Sequence, residues 1–154
     1  MQRAARKLSA ILLVLVALGQ AGCGAPTRQK LTLEAAPAEG AIAPYIAGKL
    51  QAAQQQRRQL LVYVGAKWCE PCKRFHDAAK AGRFDARFPQ LDLVEFDLDR
   101  DEARLRQAGY VSEYIPLFAR PLADGRGSGR QFAGSVKGEA ALGDLEQKLA
   151  TLLQ

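Results

Sequence analysis

The stretch LLVYVGAKWCEPCKRF, residues 60–75, constrains the fold most. Its first part, LLVYVGA, is a continuous apolar run containing β-branched residues. Such a run suits a strand buried on both faces, as in a parallel sheet. Cys69 and Cys72 follow directly. Phe75, Ala78 and Ala79 then recur at three- and four-residue spacing, which predicts a helix opening at the cysteine pair. Pro71 is tolerated there, because the first helical turn has no intrahelical partner for its N–H. Strand, C-x-x-C and helix in this order put two thiols at a helix N-terminus.

The elements around this core are readable by the same means. Residues 41–58 carry Ile42, Ile46, Leu50 and Ala53 at helical spacing and predict an amphipathic helix. LDLVEFDL, residues 91–98, reads as a second strand, and residues 100–108 as a short helix ending near Gly109. PLFARPL and RQFAGSV read as two strands joined by a hairpin turn centred on Asp124-Gly125. Leu142, Leu145, Leu149 and Leu152 mark a last amphipathic helix. Alternation followed by a hairpin predicts an α/β domain, a mixed sheet covered by helices on both faces. Tyr63, Phe75, Phe84, Phe88, Phe96 and Phe118 are the expected core aromatics. Asp97, Asp99, Arg100, Asp101 and Glu102 read as a solvated loop and helix start.

The N-terminal segment reads differently. Arg3, Arg6 and Lys7 precede LSAILLVLVALGQAG, whose apolar part is about a dozen residues long. A basic start, a short apolar run and small residues form a secretory signal. The run is shorter than the roughly 20 residues of a spanning helix. Removing those three cations lowers the formal net charge from +6 to +3. With no basic cluster interleaved with aromatics, a nucleic-acid partner is not expected.

Cys23 ends this segment in LGQAGCG and resembles the lipobox cysteine of bacterial lipoproteins. Ala21 and Gly22 fit that pattern, while Gln20 stands where an aliphatic residue is usual. The alternative is cleavage after Ala21, which leaves a free exported thiol. The expected organisation is a signal over 1–22, a lipid-anchored tether over 23–40 and one domain over 41–154. A short first strand at 31–33 is compatible with the tether sequence.

The pair Cys69–Cys72 admits several chemistries. The spacing lets the two sulfurs close a disulfide, and lets Cys72 resolve a mixed disulfide formed on Cys69. Helix N-terminal N–H groups and the helix dipole stabilise a thiolate at Cys69. Trp68 shields one side of such a site. Zinc needs about four ligands, and one pair plus the lone His76 supplies three. Covalent haem requires C-x-x-C-H, and Lys73 follows the pair here. A structural staple over so short a loop restricts the unfolded chain little. GRGSG lies between strands rather than before a helix, which removes the basis for a phosphate loop. Two thiolates holding Cu(I) without redox turnover is a separate class of function. Such sites favour added Met or His, and the only Met is Met1. A degenerate fold kept for protein interaction is a third class, and the intact motif argues against it.

WCEPC after a buried strand resembles the thioredoxin family, whose hallmark is tryptophan before C-x-P-C at a helix start. VEFDLDRDEARLRQAGYVSEYIPLF resembles the same family's next strand, short helix and Ile-Pro before the final hairpin. The resemblance covers roughly residues 41–154. It implies a thioredoxin-like three-layer fold and a thiol:disulfide oxidoreductase acting on protein substrates. Cys69 is then the attacking thiol and Cys72 the resolving one. Pro116 is implied to be a cis-proline facing the pair. Trp68, Ile115 and Pro116 are implied to hold the substrate backbone, with Glu70 and Pro71 tuning the pair. No cofactor is needed, since two sulfurs carry the electrons. C-E-P-C also occurs in membrane-tethered thioredoxin-like proteins of cytochrome c maturation. The implied setting is the bacterial cell envelope or periplasm, with a monomer anchored by lipid and served by a membrane or envelope redox partner.

Two positions depart from the family. Cytoplasmic members carry a buried aspartate six residues before the first cysteine, and Tyr63 stands there. Glu70 and Glu95 are the candidate proton acceptors for Cys72. Leu117 follows Pro116 where threonine is common.

Overall fold

The computed structural model describes residues 29–154. The signal segment and the Cys23 lipidation site expected from the sequence lie outside these residues. Five strands and four helices are described: β1 (Thr32–Ala35), α1 (Ile42–Gln55), β2 (Gln59–Gly65), α2 (Glu70–Lys80), β3 (Leu91–Asp97), α3 (Leu98–Gln107), β4 (Leu117–Pro121), β5 (Gly127–Ala133) and α4 (Ala140–Leu152). The sheet order is β1-β3-β2-β4-β5. β1, β3 and β2 are parallel, and β4 and β5 complete the sheet antiparallel.

The central strand β2 shows why its sequence is apolar throughout. Leu60, Val62 and Val64 pack with Ile42 and Ile46 of α1 and Leu105 of α3. Leu61 and Tyr63 pack on the other face with Phe75 of α2 and Leu145 and Leu149 of α4. Successive side chains of a strand alternate between faces, so a strand covered twice needs apolar residues at every position. The result is three layers, with α1 and α3 on one side and α2 and α4 on the other. An α/β arrangement with a mixed sheet is what the sequence pattern predicts, and a thioredoxin-like fold is what the resemblance implies; most elements fall where the pattern places them.

Two boundaries and the burial of one residue differ from what the sequence predicts. Strand β1 lies inside the segment assigned to the tether, so the folded unit starts before residue 41. Leu31 is buried, and Leu33 pairs with Leu93 at the sheet edge. The guanidinium of Arg58 fastens this edge, donating to the Lys30 and Leu91 carbonyls and to Asp92. The return strand starts at Gly127, so GSG belongs to the sheet rather than to the turn. Gly125 turns the hairpin at φ +80°, and a Cβ there would sit 1.9 Å from the Ala43 carbonyl oxygen. The hairpin tip thus packs against α1 with no room for a side chain.

Asp101 is the third correction. It reads as part of a solvated helix start, yet it is fully buried. Arg100 and Arg104 both donate to its carboxylate, as does the Asp97 backbone N–H. Arg104 also reaches the Pro37 and Gly40 carbonyls, tying the β1–α1 connection to α3. A buried carboxylate persists when its lone pairs are filled this way.

Candidate active site

The site is built at the C-terminal end of β2. The chain leaves Gly65, turns through residues 66–69 and enters α2. Cys69 is the N-cap of α2, with extended backbone at φ −83° and ψ 109°. The Cys72 N–H donates to the Cys69 sulfur at 3.3 Å, and Lys73 N–H donates to the Cys69 carbonyl at 3.0 Å. The sulfur therefore occupies the place an Asp or Ser oxygen fills at other helix starts. Pro71 sits in the first turn, where its missing N–H leaves no bond unmade. Cys69 and Cys72 are joined as a disulfide, with the sulfurs 2.01 Å apart. Both are nearly buried, packed with Ala66 and flanked by Leu98 and Ile115.

The connection before β4 forms the opposite wall. The Ile115–Pro116 bond is cis. Pro116 is buried, and the Ile115 carbonyl oxygen lies 3.6 Å from the Cys69 sulfur. Gly134 N–H donates to the Pro116 carbonyl, holding the end of β5 against this loop. Ile115 and Pro116 are thus brought to the pair although they lie over 40 residues further along the chain.

Trp68, the residue before Cys69, is 67% exposed. Its indole N–H donates to both carboxylate oxygens of Asp99, each at 3.0 Å. Asp99 is a site contributor, although its sequence context is that of a solvated loop and helix start. Its partner lies 31 residues away, and only the parallel pairing of β2 with β3 brings them together.

Glu70 projects away from the sulfurs. It accepts from Arg74 within α2 and from the Gly138 N–H ahead of α4. The bond from Arg74, helped by that from Gly138, holds its carboxyl below the usual carboxylate range. Lys73 is likewise engaged, by Asp77 one turn on. Glu70 is therefore an ionised surface brace, and of the two candidate proton acceptors only Glu95 faces the interior of the site.

Tyr63 occupies the position of the absent aspartate. Its ring stacks on Phe118 at 5.0 Å and its hydroxyl donates to the Cys72 carbonyl at 3.2 Å. Burial pushes its pKa far above the ordinary phenol value, and the nearby Glu95 charge pushes the same way. Tyr63 therefore does not ionise in the working range of a thiol enzyme. Gly65 makes room for it: a Cβ at 65 would sit 2.8 Å from the Tyr63 hydroxyl oxygen and 3.4 Å from Cys72 Cβ. Beneath the pair lies a cavity of about 490 Å³ whose lining includes Tyr63, Gly65, Cys72, His76 and Glu95. Among the described residues, no group of three or more His, Cys, Asp or Glu is arranged to hold a metal ion.

A family model described as thioredoxin-like matches residues 41–119, just over half of the chain. The chain belongs to the thioredoxin-like family. The matched segment holds β2, the cysteine pair, Glu95 and Pro116. No curated protein sequence matches significantly. Solved structures agree at the level of the fold. A thioredoxin from Trichomonas vaginalis superposes with a TM-score of 0.51 at 17% identity, covering 79% of this chain and 95% of that one. A poplar thioredoxin h gives 0.50 at 21%, covering 81% and 97%. A thioredoxin from Nicotiana alata gives 0.50 at 19%, covering 81% and 96%. A thioredoxin-like fold with a C-x-x-C pair at disulfide distance is, in general terms, that of a thiol:disulfide oxidoreductase.

Proposed function

We propose that this thioredoxin-like protein exchanges the Cys69–Cys72 dithiol/disulfide with protein substrates in the bacterial cell envelope. The observation that carries the exchange chemistry is the placement of the Cys69 sulfur. It caps α2, receives the Cys72 N–H and is bonded to Cys72 itself. In the reduced pair, the cap N–H and the helix dipole favour the Cys69 thiolate.

The reaction balances through two displacements. The Cys69 thiolate attacks one sulfur of a substrate disulfide, and the other substrate sulfur leaves as a thiolate and takes a proton. Cys72 then gives up its proton and attacks the Cys69 sulfur. The Cys69–Cys72 bond forms, the mixed disulfide breaks, and the second substrate thiolate leaves. Two electrons pass from the pair to the substrate, and the reverse sequence oxidises a substrate dithiol. Exposed Trp68 and the Ile115–Pro116 wall border the sulfurs and suit an extended substrate backbone. Glu70 and Pro71 act on the pair only indirectly, through the first turn of α2.

The envelope setting rests on the sequence of residues 1–23, with Cys23 as the lipidated residue and the segment up to β1 as its tether. The membrane-side redox partner and the monomeric state belong to the same reading. Among the described residues, no helix is long and apolar enough to cross a membrane.

The exchange is tested with the reduced full-length protein in detergent and a model protein disulfide in excess, with a small dithiol as electron source. The expected result is a rate well above that of the dithiol alone. A rate equal to it contradicts the exchange reading.

A further inference from the structure

Cys72 must lose a proton before it attacks Cys69, and it is 2% exposed. Its direct contact with bulk solvent is therefore small, and the proton is best taken by a group that faces the same cavity as Cys72. The position six residues before Cys69 offers only a phenol, which stays protonated. On the neighbouring strand, Glu95 is the register partner of Tyr63. Aligned residues on parallel strands point to the same sheet face. Glu95 therefore projects toward α2, on the side where the Tyr63 hydroxyl meets the Cys72 carbonyl. His76, one turn after Cys72, brings its Nε2 to 3.5 Å from Glu95 Oε2. Cys72, His76 and Glu95 line one cavity, whose roughly 490 Å³ accommodates several waters at about 30 Å³ each.

We propose that Glu95, oriented by His76, is the proton acceptor for Cys72, and that the proton crosses the cavity beneath the disulfide. The carboxylate takes the Cys72 proton as the sulfur attacks Cys69, and returns it when the pair is reduced. His76 is a positioning residue that holds the carboxylate toward the cavity. The proposal rests on the exchange reading above.

The charges around Glu95 are consistent with this role. Burial raises its pKa above the ordinary carboxylate value, and Asp97 on its own strand adds to the rise. His76 and Lys80 of α2 act in the opposite direction. Tyr63 faces it from β2 as a neutral group. Lys67, Lys73, Asp77 and Arg100 stand around the same cavity, with Lys73 and Asp77 paired to each other. A carboxylate with a raised pKa is a better base for a thiol than an exposed one.

The test is single-turnover exchange by the reduced full-length protein with a model protein disulfide, quenched by alkylation at intervals. Decay of the Cys69 mixed disulfide measures the resolving step. Glu95→Gln is expected to slow that decay by about 10²-fold, the usual scale of general-base loss, and to remove the limb of its pH profile that follows ionisation of the Glu95 carboxyl, leaving only the alkaline rise from the Cys72 thiol itself. Glu95→Asp restores the pH-dependent limb in part, and His76→Gln shifts its midpoint. Alkylation of Cys69 in a Cys72→Ala background stays at the same rate with and without Glu95→Gln. Folding is checked by melting. A raised folded pKa means the ionised carboxylate costs stability as pH climbs above the unfolded value. Glu95→Gln therefore melts at or above wild type at mildly alkaline pH, and level with it at strongly acid pH.

Two results overturn the proposal. One is a Glu95→Gln variant that resolves at the wild-type rate with the wild-type pH profile. The other is a variant that slows Cys69 alkylation and resolution equally, which marks a structural role. A wild type that forms no mixed disulfide at all overturns instead the exchange reading on which the proposal stands.

Discussion

Cys69→Ala abolishes exchange with protein disulfides, leaving only the rate of the small dithiol in the assay. The reason is positional. Cys69 is the cap residue of α2, where the sulfur receives the Cys72 N–H at 3.3 Å and lies at the positive end of the helix. Cys72 lies inside the first turn rather than at the cap, and since the two cysteines are similarly buried, at 5% and 2%, it is the cap position that assigns the attack on a substrate to Cys69. The loss does not come from unfolding. Alanine keeps the backbone and the Cβ of a buried residue whose side chain is small, and removing a cap costs only about 1 kcal/mol. A thermal melt close to that of reduced wild type should therefore accompany the loss. Residual exchange above the dithiol background would mean that Cys72 attacks substrate on its own and that the cap position does not select Cys69.

Phe75→Ala produces the largest loss of stability, about 3–5 kcal/mol. Phe75 is fully buried on the inner face of α2. Its ring centroid lies 5.2 Å from Tyr63, 5.2 Å from Phe84 and 4.8 Å from Phe118. It joins α2 to β2 and β4 at once, so truncation leaves a cavity that three rings cannot fill without leaving their own contacts. Against a usual total of about 5–15 kcal/mol, this is a large share. Denaturant unfolding checks it. The midpoint should fall with the slope unchanged, since the surface exposed on unfolding stays nearly the same. A loss below about 1 kcal/mol would show that the aromatic cluster repacks freely. The cysteine pair should suffer too, because Phe75 holds the turn of α2 that carries Cys72.

These effects were readable in the sequence to different degrees. LLVYVGA admits little besides a doubly covered strand, and Phe75, Ala78 and Ala79 continue as a helix without ambiguity. The pair, Trp68 and Pro71 follow from that junction alone. β1 is readable only as a short strand that the sequence before residue 41 allows. Only four residues long and mostly exposed, it is defined by its partner β3 and by the Arg58 clasp rather than by its own apolar pattern. Asp101 resembles any acidic residue in a first helical turn. Its burial follows from Arg104 reaching back to the β1–α1 connection, a contact between segments more than 60 residues apart.

Glu95 lies between these cases. The strand pattern places it on β3, and the departure at Tyr63 leaves Cys72 without its usual acid. What the pattern does not contain is the alignment of Tyr63 with Glu95, or His76 turned toward the same carboxylate. Both depend on sheet register and helix packing rather than on spacing along the chain.

The most direct measurement of the central claim is a covalent trap. The full-length Cys72→Ala protein is incubated with a model protein disulfide and with envelope extract, then separated without reductant. The expected result is a mixed disulfide through Cys69, released by reductant and absent when Cys69 is also replaced. No adduct with either source, together with a wild type that shows no exchange, would contradict the assignment of Cys69–Cys72 as a thiol–disulfide exchange pair.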